Sequence, residues 1–241
     1  MSASKSVRGP AWVVLPTYEE AATIERLVDE VHSKLPADAQ ILIVDDNSPD
    51  GTGEIAARLS REIEAVHFLH RPRKEGLGPA YIAGFEQALR EGAGLIVEMD
   101  ADFSHSPAYL PRLLEAAERA DVVLGSRYVA GGGVSDWGPL RQAISRGGSA
   151  YSRLMLGVGI RDLTGGFKCF RREVLEAIDL DSVRSRGYAF QVEVTYRAIE
   201  RGFRVVEVPI VFRDRQDGSS KMSRSIVWEA IWRVPLLRLG R

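Results

Sequence analysis

With one cysteine in the whole chain, Cys169, no intramolecular disulfide can brace the fold, and a reducing compartment suits it. Beside Phe167 and Phe170 that residue reads as a small buried hydrophobe. Histidines number only four; His32, His67 and His70 lie in helix or strand contexts apart from His105, so no metal-spaced histidine cluster exists. Neither sign of charge dominates: 32 Lys and Arg against 33 Asp and Glu give a formal charge of −1, which removes any global pull toward nucleic acid. No run reaches the roughly 18 apolar residues of a membrane span, and the opening MSASKSVRGP has no apolar signal core, so a cytosolic chain is the expectation. The first βα turn holds no glycine, and in GLGPAYIAG Tyr81 stands where a G-x-G-x-x-G fingerprint needs its third glycine. A nicotinamide dehydrogenase is therefore disfavoured.

What is present is a regular alternation. In 241 residues with 45% hydrophobic content, enough for one full core, the short apolar runs AWVVLP, QILIVDD, AVHFLH, LIVEMD and DVVLG read as strands. Between them, residues 20–34, 52–62, 77–91 and 107–119 carry helical spacing. Such βαβ order implies an α/β fold with a mostly parallel sheet, its working loops at the carboxyl ends of the strands. Beyond residue 126 the segment VAGGGVSDWG reads as a mobile loop over 128–140. A helix near Arg141–Leu156, the stretch DLTGGFKCF, a helix near 189–201 and a strand RVVEVPIVF follow. Residues 1–223 read as one catalytic domain and 224–241 as a basic tail; from Arg201 to Arg241 nine basic residues face four acidic ones.

The strand ends carry the chemistry. Asp100 and Asp102 in MDADFSHSP repel each other unless something positive sits between them, and their hard oxygens suit Mg²⁺ or Mn²⁺ shared with substrate phosphates. In VDDNSPDGT, Asp46 or Asp45 is available to a nucleotide base or ribose, with Asp50-Gly51 turning the chain and Thr52 capping the next helix. In PTYEE, Tyr18 is either a base-stacking ring or a core-edge aromatic, and Glu20 either meets ribose hydroxyls or favours the first helix turn. RPRK followed by GLGPAYIAG resembles a phosphate-cradling loop. Arg127, Arg141, Arg215 and Lys221 all stand in loops or at element ends, where guanidinium forks bind phosphate.

The order PTYEE, DDNSPDGT, K-x-G-L-G, DADFSHSP, GSRY, TGGF and DR-x5-K resembles glycosyltransferase family 2, and within it the catalytic subunits of the dolichol-phosphate (polyprenol-monophosphate) mannosyltransferases, from about Trp12 to about Ser223. The resemblance implies a GT-A fold that transfers mannose from GDP-mannose to a polyprenyl monophosphate, with inversion and a divalent cation. By matching position, Pro16, Tyr18, Glu20, Val44 and Asp46 would hold the guanosine, and Lys74 and Ala101 would join the nucleotide-sugar site. Asp100 and Asp102 would bind metal and diphosphate, with Ser104 where some relatives carry Gln as a further ligand. Arg127, Arg141, Arg215 and Lys221 would clamp the diphosphate and the acceptor phosphate.

A phosphate monoester, with a second pKa of about 6, is anionic without help, so this chemistry needs no general base. A hydroxyl acceptor would instead call for a carboxylate such as Asp136 or Asp162. The same fold with UDP-glucose or UDP-GlcNAc, or a non-catalytic nucleotide-sugar-binding subunit, are the competing readings. In the tail RSIVWEAIWRVPLLRLGR, apolar and basic residues interleave. It is expected either to lie on the cytoplasmic face of a membrane, with a separate membrane subunit as a further partner, or to pack back on the domain.

Overall fold

The computed structural model describes residues 9–183, 185, 187–214 and 232–238. Strands β1 (Ala11–Thr17), β2 (Gln40–Asp45), β3 (Val66–His70), β4 (Leu95–Glu98) and β5 (Val122–Ser126) coincide with the five apolar runs. Helices α1 (Ile24–His32), α2 (Thr52–Glu62), α3 (Leu77–Arg90) and α4 (Leu110–Ala117) lie between them. The alternation predicted from sequence is therefore the alternation built. Two helices start later than their spacing suggested. Residues 21–23 form a turn before α1, and Pro107–Tyr109 form a 3₁₀ turn before α4, whose second residue is Pro111. Then come β6 (Gly133–Val134), α5 (Pro139–Leu156), β7 (Lys168–Arg171), α6 (Arg172–Ala177), α7 (Gly187–Glu200), β8 (Val205–Pro209) and β9 (Val211–Phe212).

The main sheet has seven strands in the order β3-β2-β1-β4-β7-β5-β8. All pairs are parallel except those of β7, which runs antiparallel to β4 and β5. Lys168 pairs with both Glu98 and Leu124, so β7 begins where its neighbours end. For that reason the TGGF stretch before β7 arrives at the same edge as the loops after β1, β4 and β5. The strand expected over RVVEVPIVF divides at Ile210, whose N–H donates to Ser126 O. Beyond it β9 pairs with β6, so the glycine-rich segment read as a mobile loop is partly tied down as a small second sheet.

Alternation along each strand sends side chains to opposite faces, and both faces are covered. Val13, Leu15, Ile41, Ile43, Val97, Val123 and Cys169 face α1, α2 and α4. Trp12, Val14, Leu42, Val44, Ile96, Val122 and Phe170 face α3, α6 and α7. Gly84 lets α3 lie against this second face: a Cβ there would stand 2.4 Å from Val14 Cγ1. Gly78 meets the Phe190 ring in the same way, so two glycines of the supposed phosphate loop serve helix packing.

Cys169 is fully buried, and burial pushes its thiol up to about 12. It is expected to resist a thiol-specific maleimide at about pH 8 in the native protein and to react once the protein is denatured. Stoichiometric labelling of the folded protein within minutes would contradict that burial.

Candidate active site

The loops leaving β1 and β2 are sewn to one another. Glu19 N–H donates to Ser48 Oγ (3.1 Å), Glu20 N–H to Thr52 Oγ1 (2.9 Å) and Ala21 N–H to Asp50 Oδ2 (3.1 Å). Asp50 also accepts from the Thr52 hydroxyl (2.6 Å) and N–H (3.1 Å). Although burial pushes the other way, these hydrogen bonds hold the Asp50 carboxyl below its usual value. Thr52 was expected to cap α2. Instead it is the first helical residue, its N–H capped by Asp50, and its own hydroxyl serves the neighbouring loop.

The adjacent acids Asp45 and Asp46 divide their labour as strand alternation dictates. Asp45 accepts from the Thr17 hydroxyl (3.1 Å) and Ser48 N–H (3.0 Å) and closes the turn. Asp46 pairs with Arg71, a residue of RPRK that sequence reasoning passed over, and Arg71 is held in turn by Glu75 at 2.7 Å. Lys74 Nζ sits 3.4 Å from the centre of the Tyr18 ring. Pro16, Tyr18, Glu20, Asp46 and Lys74 thus line one corner of the strand-end edge. Val44, the register partner of Pro16, turns its side chain into the core.

Asp100 and Asp102 follow β4 at the point where strand order reverses, between β1 and β4, which is where α/β sheets bind ligands. Phe103 takes a left-handed φ of 61° that turns the chain sharply, and Arg26 covers its ring at 4.3 Å. Asp102 is 5% exposed, and its Oδ1 accepts Ser104 N–H at 2.9 Å. The Ala101 carbonyl accepts from Thr23 Oγ1 at 3.4 Å. Tyr81, fully buried in α3, donates to Asp100 Oδ1 at 2.9 Å, and Asp100 N–H donates to His105 Nδ1 at 3.1 Å. Burial first, then the charges of Asp100, Glu98 and Asp102, push the Tyr81 phenol well up, so its hydroxyl stays a donor. Burial lowers the His105 pKa against the pull of Asp100 and Asp102, and an Nδ1 that accepts is the neutral tautomer.

His105 is also where the two halves of the edge meet. Its ring stacks on Phe167 at 5.0 Å and meets Phe212 edge-on at 5.4 Å. Phe212 lies beside Arg127 and Trp137. The Arg127 guanidinium is buried; Nε and Nη2 grip the Asp162 carboxylate at 2.7 Å each, and its N–H adds a third bond at 2.9 Å. Burial works against its charge, but the Asp162 hydrogen bonds and carboxylate push its pKa up. Nη1 of Arg127 makes no hydrogen bond among the described residues. Arg141 lies 4.3 Å from the centre of the Trp137 ring, and its Nη1 donates to both oxygens of Asp214 at 2.8 and 2.7 Å. Arg215 and Lys221 fall outside the described residues.

Beneath the acids lies a buried cluster that sequence reading did not find. Lys168 Nζ donates to the Gln191 carbonyl at 2.9 Å and approaches Glu98 Oε1 at 3.4 Å. Burial, opposed by Lys168 and aided by Asp100, pushes Glu98 up to about 7. No pattern marks such a pair in sequence, because it depends on β7 being threaded between β4 and β5.

Among the described residues no three His, Cys, Asp or Glu are grouped to hold a metal ion. Two hard carboxylates held one residue apart fit a cation whose other ligands come from a substrate diphosphate, rather than an all-protein cage. Ser104 contributes its backbone here: N–H to Asp102 and carbonyl to Arg213 N–H.

Comparison with known proteins agrees with this arrangement. The model of the family described as glycosyl transferase family 2 matches residues 12–179. The chain belongs to that family. This glycosyltransferase is 51% identical over 224 residues to a protein of Mycolicibacterium smegmatis named polyprenol monophosphomannose synthase, covering 92% of this chain and 84% of that one. It is 48% identical over 221 residues to the undecaprenyl-phosphate mannosyltransferase of Micrococcus luteus, covering 92% and 90%. Among solved structures, glucosyl-3-phosphoglycerate synthase of Mycobacterium tuberculosis, crystallised with Mn²⁺, UDP and glucosyl-3-phosphoglycerate, matches with a TM-score of 0.69 at 20% identity, over 94% of this chain and 80% of that one. The glycosyltransferase therefore has the α/β, GT-A type of fold that its sequence led us to expect.

Proposed function

We propose that this glycosyltransferase transfers mannose from GDP-mannose to a polyprenyl monophosphate in one inverting displacement. An acceptor phosphate oxygen forms the new bond to the anomeric carbon as the bond to the diphosphate breaks, and GDP leaves with the bonding pair. The observation that carries this reading is the state of Asp162. A hydroxyl acceptor needs a carboxylate to take its proton, and of the two candidates, Asp136 and Asp162, the latter is fully buried and bound three times by Arg127. A phosphate monoester is already anionic and needs no base. The names of the two relatives that are about half identical support mannose as the sugar and a polyprenyl phosphate as the acceptor.

On this reading Tyr18, Glu20 and Asp46 hold the nucleoside, and Arg127 and Arg141 orient the two phosphate groups across the sugar. Asp100 and Asp102 would hold Mg²⁺ or Mn²⁺, which when bound supplies positive charge to the departing diphosphate.

The lipid acceptor requires access to a membrane surface. No helix among the described residues is long and apolar enough to span one. Instead α5 leaves Leu140 and Leu154 both 73% exposed, and it also exposes Arg146 and Arg153. Residues 232–237 of the tail form a short helix that packs Val234 and Leu237 with the C-terminal end of α5 and with Val192 and Tyr196 of α7 and leaves Trp232 69% exposed. Apolar residues among cations support peripheral attachment to the cytoplasmic leaflet.

The test is transfer of labelled mannose from GDP-mannose into organic-extractable lipid by the purified protein, with polyprenyl phosphate in anionic vesicles and Mg²⁺ or Mn²⁺. Label that EDTA abolishes is the expected result. Label obtained only from UDP-glucose, or only with a hydroxyl acceptor, would overturn the proposal.

A further inference from the structure

We infer that Tyr81 is a positioning residue of this site: its hydroxyl fixes one oxygen of Asp100 so that the carboxylate is set for a divalent cation before that cation arrives. The inference rests on the cation–diphosphate reading above and extends it to a residue one layer further in.

Three observations carry it. The Tyr81 ring cannot wander: it is fully buried, parallel to Phe190 (6.2 Å between centres, 1° between planes) and stacked on Phe85 at 5.7 Å. From that fixed ring the hydroxyl reaches Asp100 Oδ1 at 2.9 Å. Asp100 is the more open of the two acids, its side chain 26% exposed against a residue exposure of 5% for Asp102. The second acid is treated alike, since Asp102 Oδ1 accepts Ser104 N–H at 2.9 Å. Each carboxylate therefore has one oxygen oriented by a protein donor. His105 adds a constraint on the main chain by accepting Asp100 N–H.

This arrangement explains why Tyr81 replaces the third glycine of the GLGPAYIAG stretch. A backbone cradle would bring phosphate to α3. A tyrosine there sends a hydroxyl under the β4 loop instead. Groups that orient metal ligands in this manner change metal affinity by about 10- to 100-fold when removed.

The experiment is Mn²⁺ binding by electron paramagnetic resonance in the presence of GDP, on wild type, Tyr81→Phe and Phe190→Leu, each checked by thermal denaturation. Tyr81→Phe removes only the hydroxyl and leaves the ring packing in place. It is expected to weaken Mn²⁺ binding about 10-fold or more while GDP binding without metal stays unchanged; Phe190→Leu, which loosens the ring but keeps the hydroxyl, is expected to weaken it less. The inference is overturned if Tyr81→Phe binds Mn²⁺ as wild type does, or if Phe190→Leu weakens binding equally, which would make the effect one of packing. Wild type that binds no Mn²⁺ would instead remove the cation reading itself, and this inference with it.

Discussion

Asp102→Asn is expected to lower mannosyl transfer by about a thousand-fold, roughly 4 kcal/mol of barrier, with the protein still folded. The two consequences separate because Asp102 does two jobs through different properties. Its structural job is to accept the Ser104 N–H, and an amide oxygen in the same place accepts equally well. Its chemical job is to bring negative charge to a cation that neutralises the leaving diphosphate, and an amide brings none. Labelled-lipid assays across a metal titration, with circular dichroism on the same sample, check both halves. Transfer within tenfold of wild type at saturating metal would show that Asp102 is not part of the cation site. Loss of transfer with GDP binding retained would also set catalysis apart from mere nucleotide-sugar binding.

Asp162→Ala is expected to cost about 3–5 kcal/mol of stability, because Arg127 would be left charged, buried and without its countercharge. For a domain of this size that lowers the melting temperature by on the order of 10 °C. The guanidinium cannot escape by discharging, since its pKa lies far above any working pH. A double variant, Asp162→Leu with Arg127→Met, is expected to regain much of the lost stability, as buried ion pairs often exchange for apolar groups without loss. It should remain inactive, for want of Arg127 against phosphate. A single Asp162→Ala variant that melts with wild type would mean that water, not Asp162, balances Arg127.

The parallel half of the sheet was legible because its runs alternate with helices of clear period and each ends on polar turn formers. β7 was not: four residues long, it begins with a lysine and ends with an arginine, and it runs against its neighbours. A pattern of side-chain polarity cannot reveal that Lys168 is buried because Glu98 and Gln191 await it. Asp100 and Asp102 stood out in the sequence because two acids one residue apart at a strand end repel each other unless something positive lies between them. Asp45 and Asp46 were not separable, since adjacent residues carry one sequence signal and only the pleat decides which meets Arg71. The grip of Asp162 on Arg127 spans 35 residues, and that of Tyr81 on Asp100 spans 19. Neither spacing belongs to a helix or a turn, so in the sequence Asp162 looked like a candidate base and Tyr81 like a missing glycine.

The reversed strand also sets an order of events on the ribosome. β1 to β4 can pair as they emerge, but β5 shares no edge with β4 and has no partner among the strands made before it. Until Lys168–Arg171 is synthesised and slides between them, both strands carry bare hydrogen-bonding edges, the kind that recruit other chains. The inserted strand is thus the one that welds the acid-bearing half to the arginine-bearing half, and a nascent chain has no transfer site until that weld is made.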